Sequence, residues 1–539
     1  MKTRNIIAFA VLSALSINVA AETNFIVKPL DKNAAGIDIG GGFKRISIDD
    51  AREAKEVLKS LVDSGLYQSI ELDTKVSTPE INKQFAYRLA QKNGISGQST
   101  QALDDPFFPQ QPYLLSSEYY INGTNLQRAA EFLDDKFEDG GETVRVLVVD
   151  GSFYPNNELP YVEGHSFAQR DDGLISRPSF YALEPAGACS VEHGTGVASV
   201  YGAIRNNGSL IAGAAPNIEL VAAEALVCDS GTIGDVVRSM YWGMGETIND
   251  ETISNPVDII NLSLGIELDT CSPSFQSALD LAQQRGVQVF ASAGNDGVDS
   301  KTNSPSNCDN IIVTGSIRVN DDTVADFSNF GDKVDVYAQG EEILGLDGNE
   351  GTVAVWQGTS FSTPLAGSTG ALLKSYFSDV TPEQAEWFIK NGVRTLSSAP
   401  MCDSMSCDKG QLDALSSSQR AYEYFIDNTT SIKPVLRAGE DCLSTYVGLN
   451  FAKQARLCEL YEVSFESGID RDALVFELHS TPVQGGESTT VLKTSEVSII
   501  TDEIDLVNFN YHYSVCFNGE CAESPLEFYI DKTTPQECP

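Results

Sequence analysis

One serine stands where a predicted strand passes into a predicted helix, in the segment Gly358-Thr359-Ser360-Phe361-Ser362-Thr363-Pro364. A serine hydroxyl is a poor nucleophile until a positioned base takes its proton. The strand is expected at 353–356 and the helix at 365–375, which puts Ser360 near a helix N-terminus. Backbone N–H groups there favour developing negative charge. Taken alone, the segment is more typical of an ordinary N-cap serine.

Two further polar residues lie at predicted element ends. His193 opens a predicted helix in Glu192-His193-Gly194-Thr195-Gly196, whose small residues permit close packing. Asp150 follows the apolar run 144–149, at the carboxyl edge where open α/β sheets carry their sites. An imidazole is the usual general base of proteins, and a carboxylate can orient it. Each has a structural alternative, a packed histidine and a turn-forming Asp-Gly.

A fourth group is an amide. Asn295 ends the segment Phe290-Ala291-Ser292-Ala293-Gly294-Asn295, a predicted strand that runs into a glycine-containing turn. An amide N–H is a suitable donor to the oxyanion of a tetrahedral intermediate. Alone, the segment predicts only a turn.

The order of the four residues along the chain is itself evidence: it is Asp150, His193, Asn295 and Ser360. Asp-His-Ser is one of the three chain orders known for the hydrolase triad. With the proline four residues after the serine, the set resembles the subtilase family over residues 105–421. The resemblance implies a secreted, bacterial-type preproenzyme that acts as a serine endopeptidase.

The family resemblance also implies a role for each residue. Asp150 would hold the imidazole of His193 in the right tautomer, and His193 would take the proton of Ser360, which forms the acyl-enzyme. Asn295 and the backbone N–H of Ser360 would bind the oxyanion. The segments that would pair with an extended substrate or wall its specificity pocket are Ser263, Leu264, Gly265, Ala293, Gly294 and Gly231.

The sequence leaves open which substrate side chains the specificity pocket would prefer. Asp296 hints at tolerance for basic side chains, whereas glycine-lined walls favour broad apolar ones. Three departures from the family pattern affect fine geometry and rate without removing a catalytic group. Asp150-Gly151-Ser152 exchanges the last two residues of the usual Asp-Ser-Gly, Gly196 stands where a second histidine is common, and Ser362 where alanine is common.

A parallel sheet is needed to position these residues. Apolar runs bounded by Gly, Asn and Asp predict strands buried on both faces at 144–149, 218–223, 257–264, 287–293, 311–313 and 334–338. Helical patterns lie between them; the clearest is 273–285, with Ser272 as N-cap and Pro273 in the first turn. The alternation predicts an α/β, doubly wound, mostly parallel, subtilisin-like domain at 101–427.

The flanking regions differ from this domain. A positively charged start and an apolar run predict a secretory signal at 1–21, too short to span a bilayer, so no stable membrane insertion is expected. Residues 22–100 predict a strand at 43–48, a helix at 51–64 and a strand at 67–76. The resemblance makes this α+β unit a propeptide, the enzyme's own intramolecular inhibitor, removed at a point within 76–106. A disulfide-containing β-sandwich is expected at 432–539.

The composition limits the possible binding partners and metal sites. The net charge of −40 argues against nucleic acid as a partner. The family resemblance implies protein or peptide substrates. The 11 cysteines suit an extracellular protein, or one crossing a periplasm, with Cys271–Cys308, Cys189–Cys228, Cys402–Cys407 and Cys516–Cys521 as proposed pairs. With four histidines and no His-Glu-x-x-His, a zinc protease is nearly excluded. The chemistry requires no cofactor; the family resemblance allows structural calcium, with Glu158 as a candidate ligand.

Two other functions compete. A catalytically impaired, subtilase-like protein that binds peptides would keep the fold without the reaction. A lipase or esterase would need Gly-x-Ser-x-Gly and the order Ser, Asp, His. The segment around Ser360 lacks the last glycine, and no histidine suits that order.

Overall fold

The computed structural model describes most of the N-terminal and central chain. The described ranges are 7–8, 23–31, 34–48, 54–78, 103–151, 153–154, 156–170, 173–174, 193–227, 230–347, 351–396, 409–426, 433–437, 460–464, 475–482, 489–494, 509–517 and 520–523. The predicted signal apart from residues 7–8, the 79–102 part of the expected processing region, and Cys189, Cys228, Cys402 and Cys407 lie outside them. The chain divides into two compact units, residues 1–403 with 409–418, and the remainder. No helix among the described residues has the length and apolarity needed to cross a membrane.

The N-terminal α+β region is one sheet and one helix. Its elements are β1 (Ile7–Ala8), β2 (Thr23–Pro29), β3 (Ile37–Gly40), β4 (Phe43–Ile48), α1 (Ala54–Ser64) and β5 (Tyr67–Leu72), with strand order β1-β5-β2-β4-β3. Phe25, Val27, Val57 and Ile70 form its small core. The stretch predicted as one strand at 67–76 is two, β5 and β6 (Lys75–Ser77), because the chain leaves the sheet at Asp73, whose carboxylate accepts the N–H of Gly234.

A nine-stranded sheet forms the centre of the first unit. Besides β6, its strands are β7 (Val144–Gly151), β8 (Tyr161–Ser166), β11 (Ile218–Val227), β12 (Ser230–Thr232), β13 (Ile259–Leu262), β15 (Gln288–Ser292), β17 (Ile312–Ile317) and β18 (Val336–Gln339). They lie in the order β18-β17-β15-β13-β7-β11-β12-β6, with β8 also paired to β11. The central strands are parallel, and β12 and β6 form an antiparallel edge.

Every predicted apolar run overlaps one of these strands. Val146 to Val149 of β7 are fully buried, as expected of a parallel strand covered by helices on both faces. The mostly parallel sheet expected from the sequence is present, and its antiparallel edge makes it a mixed sheet. Its short companions are β9 (Gln169–Arg170), β10 (Gly173–Leu174), β14 (Ile266–Glu267), β16 (Asn303–Ser304), β19 (Ile343–Leu346) and β20 (Val353–Trp356).

Helices pack against the sheet. They are α2 (Leu126–Lys136), α3 (His193–Gly202), α4 (Ile233–Gly243), α5 (Pro273–Gln284), α6 (Thr359–Tyr376) and α7 (Pro382–Asn391). A further helix, α8 (Ala414–Phe425), begins in the first unit and ends in the second. The predicted cap of α5 is formed, because the Ser272 side chain accepts the N–H of Phe275. The Cys271–Cys308 disulfide joins the residue before that cap to the loop after β16.

The second unit contains antiparallel strands beyond residue 432. β21 (Lys433–Arg437) pairs with β22 (Leu460–Ser464), and β23 (Val475–Pro482), β24 (Thr489–Thr494), β25 (Phe509–Phe517) and β26 (Glu520–Glu523) form a sheet ordered β24-β23-β25-β26. Cys516 and Cys521 stand opposite each other on β25 and β26. The β-sandwich stays a prediction.

Candidate active site

A buried imidazole–carboxylate pair lies at the carboxyl end of β7. His193 Nδ1 is 2.7 Å from Asp150 Oδ1, and both side chains are fully buried. The N–H of Gly151 also donates to Asp150 Oδ1, at 2.7 Å. Burial and the charge of Asp150 raise the pKa of Tyr161 well above its usual range, so the neighbouring phenol stays protonated. Asp150 thus occupies Nδ1 of the imidazole, whereas His193 Nε2 makes no hydrogen bond to the described residues.

A glycine allows this close approach. A Cβ at Gly194 would stand 2.5 Å from the carbonyl oxygen of Gly151 and 2.9 Å from the ring of Phe153. Any side chain at position 194 would therefore push the first turn of α3 away from the end of β7. The small residues of the His193 segment thus place the imidazole against Asp150.

Ser360 lies in the first turn of α6, beside α3. The helix begins at Thr359, earlier than the 365 expected from the sequence. The imidazole of His193 meets the ring of Phe361, the next residue after the serine, with centroids 5.4 Å apart. Ser360 Oγ itself donates to the carbonyl of Ser263 at 3.3 Å, and not to His193 Nε2. The three predicted residues share one edge of the sheet, with the serine–imidazole bond unmade.

Pro364 leaves the backbone carbonyl of Ser360 without its usual helical hydrogen bond. In an α-helix the N–H of residue 364 would bond the carbonyl of Ser360, and proline has no N–H. That carbonyl accepts instead from Ser263 Oγ, at 2.8 Å. Ser263 Oγ in turn accepts from Asn261 Nδ2 at 2.9 Å, and Asn261 Oδ1 accepts from Tyr201 at 3.1 Å. A buried chain of hydrogen bonds therefore fixes the backbone of Ser360 to β13.

Asn295 has a fixed amide orientation. Its Oδ1 accepts from both the N–H and the hydroxyl of Thr359, at 2.9 and 2.8 Å. With the oxygen engaged, Nδ2 is left as a donor; it would lie 2.9 Å from a Cβ on Gly358, whose φ of +140° suits glycine. The amide nitrogen is thus held beside the turn that precedes Ser360.

Sequence reasoning missed Thr359 and Asn261. Asn261 had a usable signal, since an amide inside the apolar run of β13 is fully buried and needs a partner. Thr359 had none, because its role depends on Asn295, 64 positions away in the chain.

The predicted substrate edge is covered by another segment of this chain. β6 pairs antiparallel with β12, with Val76 opposite Gly231. On its other side, the N–H of Ser77 donates to Gly265 O at 3.3 Å and the N–H of Gly265 donates to Ser77 O at 3.1 Å. Val76 is fully buried. An extended segment therefore lies between the two predicted pairing edges. Leu264, just before Gly265, and Ala293 in the facing segment are also fully buried.

The calcium hypothesis finds no support at its candidate ligand. Glu158 Oε2 accepts from the Nδ2 group of Asn207 at 3.1 Å, so its neighbour presents a donor where a cation would need an oxygen. The described residues include no group of three or more His, Cys, Asp or Glu side chains arranged for a metal ion.

Comparison with known proteins is consistent with this geometry. The subtilase family model matches residues 141–418, just over half of the chain. An extracellular protease of Xanthomonas campestris pv. campestris is 29% identical over 324 residues, which are 56% of this chain and 55% of that protein. A thermophilic serine proteinase of Bacillus sp. (strain AK1) is 36% identical over 185 residues, which are 34% of this chain and 42% of that protein.

A solved protease structure from Pseudoalteromonas arctica PAMC 21717 is also similar. It aligns with a TM-score of 0.52 and 26% identity, over 60% of this chain and 100% of that chain. The chain spans about half the length, or less, of the two curated relatives described above.

Proposed function

Because this chain belongs to the subtilase family, we propose that it is a secreted serine endopeptidase with Ser360 as nucleophile, His193 as general base and Asp150 as the orienting carboxylate. The observation that carries the proposal is the buried 2.7 Å contact between His193 Nδ1 and Asp150 Oδ1, beside the helix turn that bears Ser360. Nδ1–H donates to the carboxylate, which leaves Nε2 as the basic nitrogen.

The reaction begins when Ser360 Oγ leaves the carbonyl of Ser263 and donates to His193 Nε2. As Oγ attacks the substrate carbonyl, the proton passes to Nε2 and the imidazolium is stabilised by Asp150. The imidazolium then protonates the leaving amine, which yields the acyl-enzyme. Water, deprotonated by the same nitrogen, hydrolyses that ester. No cofactor takes part.

The oxyanion of the tetrahedral intermediate would be bound by Asn295 Nδ2 and the backbone N–H of Ser360. The support is the engagement of Asn295 Oδ1 by Thr359, which prevents the amide from presenting its oxygen to developing negative charge. A donor fixed before the reaction needs no reorganisation in the transition state. We therefore assign Thr359 as a positioning residue for Asn295.

Substrates would bind as an added strand. The pairing of residues 75–77 with β12 and Gly265 supports this mode, since it uses main-chain groups that any peptide offers. It also supports the proposal that the N-terminal region inhibits the enzyme, because a substrate would need the same edge. Secretion is supported by the apolar N-terminus and by relatives named extracellular proteases.

Ser360→Ala tests the whole proposal. We expect it to abolish cleavage of a peptide library and covalent labelling by a fluorophosphonate. The matched control is Ser362→Ala in the same helix turn, whose hydroxyl has no hydrogen-bond partner among the described residues. That variant should retain labelling. Failure of the unmodified chain to label or to cleave would favour a peptide-binding protein instead.

A further inference from the structure

A stacked pair of aromatic rings packs against the imidazole of His193. Trp356 ends β20 and Phe361 lies in the first turn of α6, with ring centroids 4.8 Å apart and planes 25° from parallel. The imidazole centroid is 5.4 Å from that of Phe361 and 6.4 Å from that of Trp356, at interplanar angles of 79° and 78°. Such T-shaped contacts are favoured between flat rings. All three side chains are fully buried.

Two glycines make room for the indole of Trp356. A Cβ on Gly196 of α3 would stand 2.8 Å from Cε2 and Cζ2 of Trp356 and 3.2 Å from Cε1 of Phe361. A Cβ on Gly345 of β19 would stand 2.9 Å from Cδ1 and Nε1 of the same indole. Gly196 stands where a second histidine is common in the family, and a histidine side chain there would overlap the indole. The departure at position 196 therefore fits the ring that fills the space.

The hairpin that carries Trp356 is tied to the helix of His193. Ser199 Oγ, on α3, donates to the carbonyl of Gly196 at 2.6 Å and accepts the N–H of Leu346 at 2.9 Å. Leu346 ends β19, which pairs antiparallel with β20, the strand of Trp356. The indole therefore keeps a fixed place relative to α3, which begins at His193.

A single hydrogen bond does not fix the orientation of the imidazole. The contact of His193 Nδ1 with Asp150 holds one ring atom, and the ring can still turn about that contact. Ser360 Oγ gives no second hold, because it donates to the carbonyl of Ser263. Rotation would press the imidazole against the two aromatic rings, which stand nearly perpendicular to it in a closely packed interior. The stacked pair therefore limits rotation of the imidazole.

We propose that Trp356 and Phe361 act together as positioning residues for His193, holding the imidazole in the orientation from which Nε2 takes the proton of Ser360. The proposal rests on the endopeptidase function above. A general base that loses its orientation reaches the reactive geometry less often, so the loss falls on kcat and not on KM. A purely structural role would lower stability and leave the kcat of the folded enzyme unchanged.

The test separates kcat from KM in two substitutions of Trp356, measured on the best substrate of a peptide library. Trp356→Leu removes the ring, and kcat should fall at least about tenfold with KM within about threefold of its original value. Trp356→Phe keeps an aromatic ring beside Phe361 and should retain at least about a third of kcat. The matched control is Val355→Ala, at the preceding, only partly buried residue of β20, which should change neither constant.

Gly196→Ala tests the same contact without removing a ring. Its Cβ would displace the indole, so kcat should fall at least about threefold in the otherwise unmodified chain and no further when the change is added to Trp356→Leu. Unchanged kcat in folded Trp356→Leu or in Gly196→Ala, or equal losses in Trp356→Leu and Trp356→Phe, would overturn the positioning role. The Gly196→Ala result decides even if Trp356→Leu does not fold. If the unmodified chain cleaves no peptide, the endopeptidase proposal itself fails.

Discussion

Two buried charge clusters in this molecule are built differently. The first is the pair of His193 and Asp150, which both belong to the central α/β region. The second joins the N-terminal region to that centre: Arg45 of β4 contacts Asp73 at 2.5 Å and Asp235 of α4 at 2.9 Å, with all three side chains fully buried. Under the proposed mechanism the first cluster stays intact through every turnover, whereas the second lies across a boundary that removal of the N-terminal region would open.

The boundary cluster is balanced on each side. Arg45 and Asp73 stay together on the N-terminal side, while Asp235 keeps Arg238, at 3.8 Å, on the other. Separation of the two regions therefore leaves no isolated buried charge, which would otherwise carry a penalty of several kcal/mol. Among the described residues, neither His193 nor Asp150 has a second charged partner. Under the proposed function, His193 and Asp150 stay together, whereas removal of the N-terminal region would divide the second cluster into Arg45 with Asp73 and Asp235 with Arg238.

The largest effect is expected at the pair of His193 and Asp150. Asp150→Asn keeps the shape of the side chain but cannot hold Nδ1–H, so the wrong tautomer would face Ser360. We expect kcat to fall on the order of 10⁴-fold, the scale known for this change in a serine protease triad. Peptide hydrolysis measures it. A fall of less than about tenfold would contradict the role of Asp150.

The next effect concerns the boundary cluster. In a Ser360→Ala background, which keeps the chain intact, Arg45→Met should remove about 3–5 kcal/mol of stability, because Asp235 and Asp73 lose a buried partner. The urea midpoint of unfolding reports it. Lys44→Met is the control, a partly exposed neighbour on the same strand that should change stability by less than about 1 kcal/mol. Equal shifts in both variants would contradict the role of Arg45 as the buried partner of Asp73 and Asp235.

The smallest effect is a pH dependence at Glu71. This β5 carboxylate accepts from the Ser272 hydroxyl at 2.7 Å and the Ser274 N–H at 3.1 Å, beside the charge of Asp73. Burial raises the pKa of Glu71 to about 7. A raised pKa means that the docked state favours the protonated form. Its stability contribution is therefore complete below about pH 4.5 and is lost as pH rises through about 7.

Glu71→Gln checks that sign, because an amide does not titrate. In the Ser360→Ala background, the variant should gain roughly 2 to 3 kcal/mol relative to glutamate between pH 5 and pH 8. Urea unfolding at the two pH values measures the difference. A stability gap that stays constant with pH, or widens toward acid, would contradict the burial-driven shift.

Much of the fold followed from pattern alone. Runs such as 144–149 and 287–293 became strands because a parallel sheet buries both faces, and that burial shows as uninterrupted apolar sequence. Candidate residues at strand ends could be named for the same reason, since the carboxyl edge is where open sheets carry their sites.

The long-range polar contacts could not be predicted. Arg45 looks like the outward residue of an alternating strand, and its partner Asp235 is 190 positions away. Asn303 is an ordinary loop asparagine until β14 and β16 bring it against Gly265. Such contacts depend on how elements pack, which local periodicity does not encode.

The three-residue length of β12 has a further consequence. Removal of residues 75–77 would leave Ser230–Thr232 as an open sheet edge with unpaired backbone groups. Pairing of two molecules through such edges would lead to aggregation. A ladder this short offers few rungs, and a net charge of −40 makes each copy repel the next. Under the proposed function, this edge would therefore bind a substrate peptide as an added strand without causing self-association.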